Sequence, residues 1–314
     1  MLFCNFAIER ALQFTAFIGN HSSKISMSTS VVLFIINPHS GTTRRPWHTL
    51  INDFFLHRAI EVHCHHLEKD TSSVKIVDHI HQVQPNLVVA VGGDGTIKLV
   101  AAALLKSSIP MGIIPAGSAN GLAYELGIPT DPTLAMHTLL TGKSIKIHGI
   151  AIQNEICLHL ADIGLNAWAM KKFNRGNTRG WLGYGWASLQ SLYYARIHSV
   201  TLQTDQQSIK LRAAMIVLAN GTAYSTGAII NPGGSLLDEH FEVIVMKEIS
   251  LIETLKMLFT HQPFNPKKVA VYSTQKVTIR CKKRIPFQID GEYQGKVKNI
   301  EATIVSHAVS IIVP

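Results

Sequence analysis

The chain has 314 residues, enough for two domains of ordinary size. Hydrophobic residues make up 46% and charged residues only 16%, which excludes a disordered polyelectrolyte, and no apolar run reaches the roughly 18 residues that a membrane-spanning helix needs. Lys and Arg number 29 against 20 acids, a formal charge of +9 that points to an anionic partner: nucleotide phosphate, nucleic acid or an acidic membrane surface.

In chain order, residues 1–28 come first. They carry Leu12, Phe14, Phe17 and Ile18, but Glu9 and Arg10 precede these and no A-x-A cleavage site follows, so they read as a disordered extension, with Met27 a candidate start. Residues 31–36 (VVLFII) form a buried strand, ended by the turn Asn37-Pro38-His39-Ser40-Gly41. A helix over 47–59, a strand over 61–67 and a helix over 73–82 follow. Residues 87–91 (LVVAV) form a second buried strand that runs into Gly92-Gly93-Asp94-Gly95-Thr96 and a helix over 97–105. A short strand over 111–114 feeds Pro115-Ala116-Gly117-Ser118-Ala119-Asn120-Gly121 and another helix. Alternating βα units predict a parallel sheet covered by helices on both faces.

After about residue 145 the rhythm changes. Hairpins are expected over 147–152 with 156–161 and over 200–204 with 209–219, then strands over 242–246, 269–272, 277–281, 287–290 and 300–305. Helices over 181–196 and 251–260 interrupt them. Strands following βα units predict a second, mostly antiparallel domain. The four cysteines, Cys4, Cys64, Cys157 and Cys281, form no CxxC pair, which suits a reducing cytoplasm.

The three glycine-containing turns sit at carboxyl ends of predicted strands, where parallel sheets bind ligands. In Gly92-Gly93-Asp94-Gly95-Thr96 the glycines let the backbone approach a phosphate, and the helix start offers free N–H groups. Asp94 beside those phosphates can hold Mg²⁺ directly or through water. A bare Gly-Asp-Gly is an ordinary tight turn; the extra glycine, the threonine and the strand–helix flanks set this one apart. The other two loops offer Ser40 and Ser118 hydroxyls and backbone donors, and either alone is also an ordinary turn.

Together the loops resemble the diacylglycerol kinase-like catalytic domain, a family that includes bacterial lipid kinases, sphingosine kinases and ceramide kinases. Its pattern is N-P-x-S/A-G, G-G-D-G-T, P-x-G-T/S-x-N and, far downstream, D-G-E, here Asp290-Gly291-Glu292. The resemblance runs from about residue 30 to the end. It implies a Rossmann-like α/β nucleotide-binding domain over 29–145 and an antiparallel β-sandwich over 146–314, with a cleft between them and the last strands returning to the first domain. It implies ATP-dependent transfer of the γ-phosphoryl group to a hydroxyl of a lipid alcohol, of diacylglycerol or sphingoid-base type. Residues 37–41, residues 92–98 (including Ile97 and Lys98), Ser118 and Asp290 would line the nucleotide. Asp94 would act on the Mg²⁺–ATP phosphates and Glu292 would accept the proton of the attacking alcohol; in the sphingosine kinase branch the Gly-Asp-Gly aspartate has the base role, and both assignments stay open here. The stretch from Asn231 to Val243 compares with P-x-A-x-x-D-G-x-x-x-V, which implies a structural Mg²⁺ on the Asp238 carboxylate and the carbonyls of Ser235 and His240. Glu239 replaces the usual glycine, and a plain turn with a capping Asp238 is the other reading.

Further departures are specific. Asn120-Gly121 replaces N-D, the arginine expected near Tyr124 is missing, Leu67 stands for a threonine, and Lys98 replaces an asparagine, its charge serving a phosphate or facing solvent. The wording P-A-G-S-x-N leans toward the sphingosine kinase-like branch. Thr141-Gly142-Lys143-Ser144 lacks the leading glycine of a P-loop, having His137 there, and His63-Cys64-His65-His66 has no complementary metal cluster. The basic groups around Lys171, Lys172, Arg175 and Arg179, at Lys267-Lys268 and at Lys282-Lys283-Arg284 belong to no nucleic-acid module and suit an anionic membrane surface. The helix over 181–196, with Trp181, Tyr184, Trp186, Tyr193 and Tyr194, suits either the sandwich core or a bilayer interface. The expectation is a cytoplasmic, peripherally membrane-associated kinase, with homodimerisation frequent in the family. An NAD kinase-type phosphotransferase and a non-catalytic nucleotide- or lipid-binding homologue are the alternatives; the former lacks N-x-G-x-L-G-F.

Overall fold

The computed structural model describes residues 30–41, 45–68, 71–164, 196–224, 228–257 and 262–314. The expected N-terminal extension, residues 181–195 of the expected aromatic helix and the basic group at 171–179 lie outside the described residues.

The first half builds a parallel sheet from β1 (Ser30–Ile36), β2 (Ile60–His66), β3 (Leu87–Gly92) and β4 (Met111–Pro115), in the order β2-β1-β3-β4. Successive side chains of a strand point to opposite faces, so a continuous apolar run needs cover on both. On one face Leu33, Ile35, Val88 and Ala90 pack with α2 (Ser73–Val83) and α3 (Asp94–Ala103). On the other, Val32, Phe34, Val89 and Val91 pack with α1 (Trp47–Phe55) and α5 (Pro132–Thr141), while α4 (Gly121–Glu125) follows the third loop.

Helix α1 stops at Phe55, four residues short of the expected end, because Leu56 turns to solvent and Arg58 N–H closes a turn onto the Phe55 carbonyl. Helix α3 starts three residues earlier than expected, since Asp94, Gly95 and Thr96 are themselves its first turn. Helix α5 was not expected; Asp131 caps it by accepting from the Leu134 N–H at 2.9 Å, with Pro132 in the first turn.

The second half is antiparallel: β5 (Lys143–Ile152), β6 (Glu155–Cys157), β7 (Leu160–Gly164), β8 (His198–Thr204), β9 (Ser208–Ala213), β10 (Met215–Ala219), β11 (Phe241–Met246), β12 (Val269–Thr274), β13 (Lys276–Ile289) and β14 (Glu292–Val313), with a short α6 (Leu251–Leu255). Ile163, Ile216, Leu218 and Val243 meet Val200, Leu202, Ile279 and Ile300 across a sandwich core. The strand expected over 209–219 is two strands, broken at Ala214, because β9 pairs with β8 while β10 pairs with β7 and β11. The strands expected over 277–281 and 287–290 are one strand, β13, with irregular register at two points.

Strand β14 joins the halves. Its first part pairs with β13, its later part with β5, and Ile311 lies beside Met111 of β4 in parallel. The pairing is interrupted between Val305 and Val309, where His307 has φ +51°. The parallel sheet and the sandwich thus share one continuous set of strands, the two-part α/β and β architecture expected.

Candidate active site

The three loops at the carboxyl ends of β1, β3 and β4 interlock. Asn37 N–H donates to the Val91 carbonyl at 2.9 Å, and Asn37 Nδ2 donates to Thr96 Oγ1 at 3.1 Å, which ties the first loop to the start of α3. The Asn37 side chain also accepts from His39 N–H at 3.0 Å, leaving Pro38 and His39 exposed and Ser40 half-buried. Gly41 has φ +73°, and a Cβ there would lie 2.5 Å from the Ala116 carbonyl oxygen. Gly93 and Gly117 meet backbone to backbone: a Cβ on Gly117 would lie 2.5 Å from Gly93 Cα. In the third loop Asn120, at φ +54°, accepts from Gly117 N–H at 2.8 Å and donates to the Gly117 carbonyl at 2.9 Å, leaving Ser118 exposed at the tip. The first-turn N–H groups of α3, which have no partner inside the helix, open onto this cradle.

The downstream Asp290-Gly291-Glu292 arrives here through a two-residue hairpin turn between β13 and β14. Asp290 and Gly291 have φ +48° and +83°, the left-handed pair that such a turn requires. Gln288 fixes the turn by accepting from Gly291 N–H at 2.7 Å and donating to Asp162. Glu292 lands over Gly95, where a Cβ would collide with its Oε1. Glu292, almost 200 residues from Asp94 in sequence, therefore meets the first turn of the helix that Asp94 opens.

The chemistry of the two acids differs. Asp94 Oδ1 accepts from Leu122 N–H at 3.3 Å, at the start of α4; burial raises its pKa, against the lowering effect of the Gly121 and Leu122 N–H groups and of His159. The Glu292 side chain is 52% exposed, and burial of the rest raises its pKa, opposed by Lys98 and reinforced by Asp290 and Glu155. Lys98 neither faces solvent nor stands free for a phosphate: it is 6% exposed and paired with Glu155 at 2.7 Å and Glu292 at 3.8 Å.

Ile97 and Asp290, also expected at the nucleotide, have side chains engaged within the protein. The Ile97 side chain packs in the core beside Val100 and Ala101. Both oxygens of Asp290 are engaged by the 157–160 segment: Leu158 N–H at 2.9 Å, His159 N–H at 3.0 Å, Leu160 N–H at 3.1 Å and Cys157 Sγ at 3.4 Å. That engagement also splits the strand expected over 156–161 into β6 and β7. Behind it lies a buried pair that no motif signalled. His159 Nε2 lies 3.5 Å from Glu125, which also accepts from Thr222 Oγ1 at 2.8 Å. Burial works against a charge on His159, but Glu125, Asp290 and Asp94 together hold its pKa above the ordinary value.

The residues expected to hold a structural Mg²⁺, Ser235, Asp238 and His240, share one turn. Asp238 is exposed and one of its oxygens accepts from His240 N–H at 3.2 Å, while Ser235 Oγ accepts from Leu237 N–H at 3.1 Å. Among the described residues no group of three or more His, Cys, Asp or Glu is placed to hold a metal ion. The segment 235–240 is a turn closed onto its own backbone N–H groups.

Comparison with known proteins covers nearly all of this framework. The family described as the diacylglycerol kinase catalytic domain matches residues 31–152, and the YegS C-terminal NAD kinase beta sandwich-like domain matches residues 160–313. The chain is 28% identical over 241 residues to a Synechocystis protein, spanning 73% of this chain but only 55% of that relative's length. It is 23% identical over 237 residues to the diacylglycerol kinase of Bacillus subtilis, covering 78% of it. A Citrobacter koseri protein named "Probable lipid kinase YegS-like" is 24% identical over 278 residues, 91% of its length. The crystal structure of a diacylglycerol kinase from Bacillus anthracis superposes with a TM-score of 0.70 at 15% identity, over 92% of this chain and 98% of that one, a match of fold.

Proposed function

Since the chain belongs to the diacylglycerol kinase-like family of lipid kinases, we propose that it transfers the γ-phosphoryl group of ATP to a hydroxyl of a lipid alcohol, of diacylglycerol or sphingoid-base type. The observation that carries this is the meeting of Glu292 with Gly95, which puts a partly open carboxylate against the helix turn that follows Gly92-Gly93 and begins with Asp94. Mg²⁺–ATP is the donor substrate. Its phosphates lie along the Asn37–Gly41 and Gly92–Thr96 backbone and Ser118, with Asp94 at their reacting end. The acceptor oxygen forms a bond to the γ-phosphorus, the bond to the ADP oxygen breaks, and the hydroxyl proton passes to Glu292. Little covalent chemistry is asked of the protein beyond positioning and charge stabilisation.

Glu292 is favoured over Asp94 as proton acceptor because one Asp94 oxygen is held by the Leu122 N–H, whereas half of the Glu292 side chain is open. Incubation with labelled ATP, Mg²⁺ and total lipid extract is expected to label one lipid class. Glu292→Gln and Asp94→Asn should each lower that transfer by about 10²–10⁴-fold, with folding retained. Full transfer by both variants would sink the mechanism.

No described helix is long and apolar enough to cross a membrane. Access to lipid is then assigned to a surface. On the outer face of β8, β9 and β13, Lys210, Arg212, Arg280 and Lys282 surround Ser199 and Thr201 in an open concavity of about 700 Å³. None of the four forms an ion pair with a described acid. An acidic lipid surface would supply the missing charge.

A further inference from the structure

The transfer set out above leaves one buried charge without a task. Lys98 lies one helical turn beyond Asp94, so both side chains leave the same face of α3. The Lys98 side chain is 7% exposed, and its Nζ is 2.7 Å from Glu155 Oε2 and 3.8 Å from Glu292 Oε2. Glu155 opens β6 and Glu292 opens β14, so a single ammonium ties a helix of the first domain to two hairpins of the second. A buried ammonium without a carboxylate partner is costly, and this one has two.

The two contacts are unequal. The bond to Glu155 is a direct charge-assisted hydrogen bond, and the contact to Glu292 is longer. Glu155 thus anchors Lys98, and Lys98 acts on Glu292. The two oxygens of Glu292 are also unequal: Oε2 faces Lys98, and Oε1 lies over Gly95, on the side of the phosphate loops. The other charged groups acting on this carboxylate, Asp290 and Glu155, are both acids, so Lys98 is the cation that can draw it into place.

We propose that Lys98, anchored by Glu155, is a positioning residue that turns the Glu292 carboxylate so that Oε1 is the oxygen offered to the acceptor hydroxyl. The proposal rests on the reading of Glu292 as proton acceptor. A phosphate-binding role is the rival for a lysine at this place, but it would require Nζ to leave a 2.7 Å bond to Glu155.

The test measures kcat and KM for ATP with diacylglycerol and sphingosine micelles as acceptors, on the full chain carrying Lys98→Met, Lys98→Arg, Glu155→Gln, Glu292→Gln, or Lys98→Met with Glu292→Gln. Thermal melts show which variants fold. Methionine keeps the aliphatic stem without the charge. Lys98→Met should lower kcat by about 10- to 100-fold, the scale of misplacing a reacting group by roughly 1 Å. KM for ATP should stay within about threefold. Lys98→Arg should recover part of the loss. The half-exposed Glu155→Gln, which carries the test if Lys98→Met fails to fold, should lower kcat in the same direction. The double variant should be no slower than Glu292→Gln alone, because nothing is left to position. A raised KM for ATP at unchanged kcat, as a phosphate ligand would give, overturns the proposal. So does a double variant slower than Glu292→Gln by the whole Lys98→Met factor. Wild-type turnover by Glu292→Gln would instead remove the underlying assignment of the base.

Discussion

Glu292 carries a pH signature that its surroundings determine. It must be ionised to accept a proton, so kcat/KM should rise with pH as it loses its own. Burial raises its pKa, with Asp290 and Glu155 adding and Lys98 opposing, which moves the acidic limb of the profile above the usual glutamate range. Measuring kcat/KM against pH for the wild type checks this, and a limb at the ordinary glutamate value would contradict it. The same shift has a stability side. A carboxyl whose pKa is raised on folding contributes stability below its unfolded value, and the contribution is lost as pH rises through the folded value. Asp94 is shifted in the same direction. The ionised site is therefore held at some cost near neutral pH, as functional sites often are.

At the level of elements, the turn between β13 and β14 shows what a motif conceals. In Asp290-Gly291-Glu292 the sequence points to Asp290 and Glu292 as functional; in the fold the first two residues are the hairpin turn and the third lies over Gly95. Asp290 serves the fold by collecting the N–H groups of Leu158, His159 and Leu160. Asp290→Ala should thus cost stability first, on the order of 2–4 kcal/mol for orphaned backbone donors, and show as a lowered melting temperature. Glu292→Gln should leave that temperature in place. Equal melting temperatures for the two variants would remove the distinction.

The same comparison shows what was legible in the sequence. The buried strands VVLFII and LVVAV and the turns after them were readable, because apolar runs and glycines are local signals. The partners of Asp290 and the Glu125–His159 pair were not, because they join segments more than 30 residues apart and no local pattern announces them. The partners of Lys98 are illegible for a related reason: they come from two distant hairpins. The cap of α5, Asp131-Pro132, was a local signal and could have been found.

For the whole molecule, the formal charge of +9 gains a location. Four of the basic residues share one face of β8, β9 and β13. Binding to vesicles should increase with the fraction of anionic lipid and weaken as salt shortens the Debye length to about 8 Å near 0.15 M. Arg212→Glu with Arg280→Glu should weaken sedimentation with such vesicles while leaving turnover in detergent micelles unchanged. Vesicle binding indifferent to both salt and these substitutions would move the docking surface elsewhere.

Strand β14 sets a timetable for biosynthesis. The edge of β4 that receives Ile311 leaves the ribosome about 200 residues ahead of its partner, a delay of roughly 10–40 s at ~5–20 residues per second. Until then the nascent chain carries an open strand edge, the kind that invites pairing with other chains, and needs cover from chaperones or a slow collapse of its own. Glu292 opens the same strand, so the three glycine loops emerge well before the carboxylate that meets them. Any product of interrupted translation that lacks β14 would present the glycine loops without Glu292.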